Sequence, residues 1–220
     1  MTEDEFFASP EHLEKLGCFF TELRDPLELA HKAGLFCDPW AASKLEDKEV
    51  RNSYVLSWWL NPHESHGLGK TFLVRLLQFV NEKRPHILPC DVNNYCRVGV
   101  ESTPAGNWGN RVDIEIDADN FYVVIEVKIN ASSDKKQLER YCIDAAIKSQ
   151  KTKRPWMLLF LTRQGKNPLE GNQNVFSISW RDISFLLYDA ATKHTGESDS
   201  YEAYFVRRLA QTFCSHIYQF

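Results

Sequence analysis

The chain has 220 residues, 43% hydrophobic and 25% charged, and its 14 Phe, 8 Tyr and 6 Trp are enough to core one domain, with or without an added subdomain. The net charge of −4 does not by itself mark a nucleic-acid binder, and no apolar run approaches the ~18–20 residues of a membrane span. The acidic opening MTEDEFF is unlike a signal peptide, and six cysteines with no CxxC pair or zinc spacing suit reduced thiols in a cytoplasmic protein.

The charge is unevenly spread. Residues 1–50 carry 12 acidic and 5 basic side chains, whereas Lys128 to Lys166 carry 10 basic against Asp134, Glu139 and Asp144. A basic block of this kind steers polyanions.

In chain order, residues 1–45 predict two short amphipathic helices. Leu13, Leu16, Phe19, Phe20 and Leu23 form the first stripe, and Pro26 opens the second helix. This extension is a cap or a partner contact, for a partner protein or a second copy of the chain. Glu46 to Leu60 reads as a longer helix in which Glu49 and Ser53 share a face. The GLGKT run at 67–71 invites a nucleotide-loop reading, but the position that loop requires as Gly is Glu64, and a helix precedes it. His63 and His66 lack a third metal partner and read as turn residues. A helix follows over 68–83.

Tyr95 to Glu101 predicts a first strand, and Ser102 to Trp108 a loop. Arg111 to Lys128 then alternates with period two and predicts a hairpin. Placing the turn at 117–120 sets 113 opposite 124 and 111 opposite 126. Asp113 and Glu126 then become diagonal neighbours on one face, with Cβ atoms about 7 Å apart, and Lys128 faces the same way. Two carboxylates so placed can close on one divalent cation.

A helix over 134–149, capped by Asp134 or Ser133, buries Leu138, Tyr141, Cys142 and Ala145, with Gln137 one turn before Tyr141. Trp156 to Thr162 reads as a strand buried on both faces after a helical crossover. Val175 to Trp180 is a further strand, Asp182 to Ala191 a short helix, 194–200 a linker, and a last helix starts near Tyr201.

Taken together, the helix with Glu49, the hairpin with Asp113 and Glu126-Val-Lys128, and the helix with Gln137-Leu-Glu-Arg-Tyr141 resemble the PD-(D/E)XK nuclease superfamily. The Glu49-Val-Arg-Asn-Ser53 segment, the LSWWLNPHESHGLG run and the Leu161-Thr-Arg-Gln-Gly165 turn are similar to a largely uncharacterised prokaryotic branch with a QxxxY motif. The Pro of the family's name is Val112 here. The resemblance implies an α/β fold with a mixed sheet: a restriction-endonuclease-like αβββαβ core over 46–193, with added N- and C-terminal helices (1–45 and 199–220).

It further implies a magnesium- or manganese-dependent nuclease acting on DNA, in a branch associated with defence against foreign DNA. The metal would be held by Asp113, Glu126, the Val127 carbonyl and Glu49. Lys128 would act on the attacking water or the phosphate charge, and Gln137 would fix Lys128 or the substrate. Tyr141, Lys148, Lys151, Lys153 and Arg154 would contact the phosphate backbone. The alternatives are a catalytically silent nucleic-acid-binding or interaction module on the same scaffold, and a solvated hairpin face of simple cross-strand ion pairs.

Overall fold

The computed structural model describes residues 10–103, 111–130, 134–166, 169, 171–196 and 200–220. The loop expected at 102–108, Ser133 and the centre of the linker at 197–199 lie wholly or largely outside them. Residues 1–39 and 40–220 form separate compact units.

The first unit carries α1 (Pro10–Lys32), one continuous helix where two were expected. Pro26 sits inside it rather than opening a second helix. No α1 residue is buried, and Leu13, Leu16, Phe20 and Leu27 are all exposed. A four-residue helix, α2 (Pro39–Ala42), spans the boundary.

The second unit is built on a five-stranded mixed sheet in sequential order: β1 (Cys96–Ser102), β2 (Val112–Ala118), β3 (Tyr122–Val127), β4 (Trp156–Thr162) and β5 (Val175–Ser179). The first two pairings are antiparallel and the last two parallel. The parallel step from β3 to β4 needs a crossover, supplied by α5 (Lys135–Thr152). Asp134 caps that helix by accepting the Lys136 N–H at 2.9 Å.

Before the sheet come α3 (Glu49–Leu60) and α4 (Thr71–Lys83); after it come α6 (Trp180–Thr195) and α7 (Tyr201–Ile217). The expected α-β-β-β-α-β order is therefore present as α3, β1, β2, β3, α5, β4, with α4 inserted. The GLGKT run follows the turns after α3 and leads into α4, and its Lys70 is paired with Asp91 at 2.9 Å. His66 is a turn residue: it is buried, and its ring nitrogens meet Asn61 O and Leu68 N. The sixth helix starts earlier than expected because Ser179 and Asp182 form a reciprocal capping box.

The two sheet faces are covered unequally. One packs Ile114, Ile116, Val123, Ile125, Met157 and Leu159 against Leu56, Trp59 and Leu60 of α3, Phe72 and Leu76 of α4, Leu187 of α6 and Phe213 of α7. Each such side chain fully withdrawn from water contributes about 1.5–3 kcal/mol. On the other face Tyr122, Val124, Leu158 and Phe160 pack against Leu138, Tyr141 and Ala145 of α5. Every residue of β3 is buried, so the hairpin has no open face along that strand.

The hairpin register differs from the expected one by two residues. Ile114 pairs with Ile125 and Asp117 with Tyr122, and the turn closes with the Ala118 N–H donating to Phe121 O at 3.1 Å. The tighter turn places Ala118 and Phe121 in the core, both fully inaccessible. An even shift keeps every side chain on its face, so alternation in the sequence cannot distinguish the two registers.

Candidate active site

The observed register moves Asp113 from a diagonal position to one facing Glu126, just past the last regular pair of the hairpin. Asp113 Oδ2 takes the place of the missing ladder acceptor, accepting the Val127 N–H at 2.7 Å. Asp113 and Glu126 are close enough for each to shift the other's titration. Lys128 follows on the same face, with Nζ 2.7 Å from Glu126 Oε1. Its backbone is pinned on both sides: its N–H donates to Leu161 O at 2.8 Å, and Trp180 Nε1 donates to its carbonyl at 3.3 Å.

The electrostatics follow from burial. Glu126 is 2% exposed, and desolvation together with the Asp113 charge pushes its carboxyl up to about 8 against the pull of Lys128. Burial raises Asp113 too, opposed by the Val127 N–H and Lys128. For Lys128 burial works downward, but Glu126, Asp113 and Glu49 outweigh it and hold the ammonium above its ordinary value. Two buried carboxylates forced together, with one proton preferred between them, make a poor apo arrangement and a good cation seat. The donor set fits a hard divalent ion: two carboxylates, with the Val127 carbonyl next in the chain. Among the described residues no group of three or more His, Cys, Asp or Glu is assembled to hold a metal.

Glu49, in the first turn of α3, is fastened to the segment after β3. Its Oε1 accepts the N–H of Ile129 at 2.7 Å and of Asn130 at 3.1 Å, and its charge reaches Lys128. Asp47 accepts from the Asn130 side chain. Arg163, in the turn after β4, completes this clamp by donating to Ile129 O and to Asn130 Oδ1, each at 2.7 Å. The reading of the sequence missed Arg163, although it lies in the quoted Leu161–Gly165 turn at the carboxyl end of a parallel strand.

Gln137 does not reach Lys128 by a hydrogen bond. Its Nε2 donates to the Tyr141 hydroxyl at 2.5 Å, which in turn donates to the Arg111 carbonyl at 2.5 Å. Tyr141 is buried, and burial, with Glu126 nearby, pushes its hydroxyl up to about 12.

The expected phosphate contacts divide. Lys148 Nζ lies 2.8 Å from Glu115 and 2.7 Å from Asp117, over the Tyr122 ring, and Arg154 pairs with Asp117 at 2.8 Å. These two cations neutralise the outward acids of β2, and they hold Asp117 below its ordinary value despite its burial. Asp117, the residue both cations hold, lies about 13 Å along the strand from Asp113, and Glu115, which Lys148 also holds, about 7 Å, at ~3.3 Å per residue. Lys151 and Lys153 are exposed at the carboxyl end of α5. The signal for the internal pairing was present in the sequence: Asp113, Glu115 and Asp117 share one face of β2, and a helix covering that face has to bring countercharge.

One further residue was missed. Glu101 on β1 lies opposite Asp113, between the pairs Val100–Ile114 and Ser102–Val112, and its charge acts on Asp113. Its Oε2 is 2.8 Å from Arg111 Nε. The expected cross-strand meeting of Arg111 with Glu126 is therefore replaced by a pair with Glu101.

No curated protein and no solved structure matches this chain. The sequence model of the PD-(D/E)XK nuclease superfamily matches residues 38–217, which takes in every strand among the described residues and the helices from α2 to α7. With the Asp, Glu and Lys brought together on a restriction-endonuclease-like mixed sheet, the chain belongs to the PD-(D/E)XK nuclease superfamily.

Proposed function

We propose that this protein is a magnesium- or manganese-dependent nuclease that hydrolyses phosphodiester bonds in DNA. The observation that carries this reading is the facing pair Asp113 and Glu126 with Lys128 on the same side. In this reading Asp113, Glu126 and the Val127 carbonyl hold the ion, and Glu49 approaches it from α3. Bound there, the cation would polarise the phosphate and acidify the attacking water.

Lys128 then orients that water or neutralises charge developing on the phosphate, having exchanged its partner Glu126 for the substrate. The Glu49, Asp47 and Arg163 clamp fixes the chain directly after Lys128, which keeps the lysine from drifting. Lys151 and Lys153 are the exposed members of the basic block and supply sequence-independent phosphate contacts. Lys148 and Arg154 serve chiefly to hold α5 on the hairpin.

The uncovered stripe of α1 supports a role for the first unit in contacting a partner protein or a second copy. Cysteines without disulfides fit a cytoplasmic setting, and defence against foreign DNA is the biological context we favour. The test is cleavage of plasmid and linear DNA by the full chain with magnesium or manganese. Cleavage lost in Asp113→Ala and Lys128→Ala supports the reading. A folded wild-type chain that binds DNA without cutting it under either metal supports the silent module instead.

A further inference from the structure

The site as described has a surplus of acid at its mouth. Asp113, Glu126 and Glu49 act on Lys128, which is already committed to Glu126, and Glu101 acts on Asp113. A polyanionic strand approaching these groups needs a cation that is exposed, close and not required elsewhere. Lys148 and Arg154 fail on two counts, being only 24% and 13% exposed and already bound to Glu115 and Asp117.

Arg111 meets the requirements. It precedes β2 by one residue and Asp113 by two, and its side chain is 60% exposed. It pairs with Glu101, Nε lying 2.8 Å from Oε2. An exposed pair of this kind is worth only about 0–1 kcal/mol, whereas a guanidinium can bind phosphate through two parallel hydrogen bonds. The pair is therefore easily exchanged.

The surroundings of Arg111 hold the backbone and leave the guanidinium accessible. The Tyr141 hydroxyl donates to the Arg111 carbonyl, and Gln137 donates to that hydroxyl. On the other side Glu101 holds φ at +53°, a left-handed conformation that is uncommon outside glycine. It sits at the β1 position facing Asp113, which brings its carboxylate to the same mouth.

We propose that Arg111 is a substrate-binding residue of this site, resting on Glu101 in the free protein and passing to a phosphate beside the Asp113–Glu126 pair when nucleic acid binds. Gln137 and Tyr141 are positioning residues that act on the substrate through the Arg111 backbone. This inference rests on the nuclease reading.

The test is fluorescence anisotropy of the full chain with a labelled single-stranded DNA oligonucleotide and its duplex, in calcium in place of magnesium and across a salt titration. It is joined to steady-state cleavage in magnesium. Arg111→Gln should weaken binding about 10-fold and flatten the log Kd against log salt slope by about 1. Arg111→Lys should keep the slope and recover part of the affinity. In cleavage, Arg111→Gln should raise KM more than it lowers kcat, and Tyr141→Phe should raise KM in the same direction by a smaller factor. Glu101→Gln should bind as tightly as wild type or more tightly. A wild-type Kd and slope in Arg111→Gln, beside a wild-type protein that binds and cuts, overturns this inference alone, as does a Tyr141→Phe defect confined to kcat. A wild-type protein that binds neither DNA form overturns the nuclease reading along with it.

Discussion

Asp113 accepts the backbone N–H of Val127 through Oδ2 at 2.7 Å, so one oxygen of a site carboxylate also continues the hairpin ladder. The side chain is thereby fixed by secondary structure rather than by a neighbour's rotamer. Asp113→Asn keeps the shape but exchanges a charged acceptor for a neutral one, whereas Asp113→Ala removes the acceptor and leaves a buried N–H unpaired. Urea unfolding should show Asp113→Ala less stable than Asp113→Asn by about 1–3 kcal/mol, with DNA cleavage lost in both. Equal stability of the two would mean that the Val127 bond contributes nothing.

The Glu126 carboxyl makes stability depend on pH in a direction opposite to that of an ordinary salt-bridged acid. Burial and Asp113 push it up to about 8, whereas in an unfolded chain a Glu titrates near 4.3. Between those values the folded state binds a proton that the unfolded state has released, so stability falls as pH rises through that window. In EDTA, Glu126→Gln should be more stable than wild type at pH 8, with the gap closing toward pH 4–5. Magnesium should raise the wild-type unfolding midpoint at pH 8 more than that of the variant. A wild-type protein more stable than Glu126→Gln at pH 8 without metal would contradict the assignment.

Lys148 tests what the basic block is for. It bridges Glu115 and Asp117, and its removal takes the ammonium from partly buried Glu115 and leaves Asp117 to Arg154. Lys148→Ala should lose about 1.5–3 kcal/mol of stability with little change in the salt dependence of DNA binding. Lys151→Ala combined with Lys153→Ala should do the reverse: unchanged stability and a salt slope flatter by about 2. Denaturant titration and anisotropy on the same preparations separate the two roles.

The cysteines divide by burial. Cys18, Cys37 and Cys90 are exposed; Cys96, Cys142 and Cys214 are buried. Burial pushes Cys96 and Cys142 up to about 11 and Cys214 up to about 12, and a thiol reacts as its thiolate. At pH 8 the native chain should react with a disulfide reagent at three thiols quickly and at the rest only after unfolding. Fast reaction of all six would show that the core opens readily.

Much of this protein was legible in its sequence because the relevant signals are local. Alternation from Val112 to Lys128 specifies the hairpin and the shared face of Asp113, Glu126 and Lys128, since side-chain period in a strand is two. The apolar run Trp156–Thr162 specifies a strand buried on both faces, and the spacing of Gln137 and Tyr141 places them one helical turn apart. What those residues touch is set by partners distant in the chain. The hairpin register depended on which turn buries Ala118 and Phe121, and both alternatives obey the same period. Glu49 meets Ile129 and Asn130 across 80 positions, Arg163 meets them from the far side of a crossover, and Tyr141 reaches Arg111 rather than a ligand. Lys148 and Arg154 were read as phosphate contacts because a sequence records sign and spacing but not which countercharge the fold brings underneath. Only the packing of α5 against the hairpin, driven by burial of Tyr122, Val124, Leu138 and Tyr141, decided that.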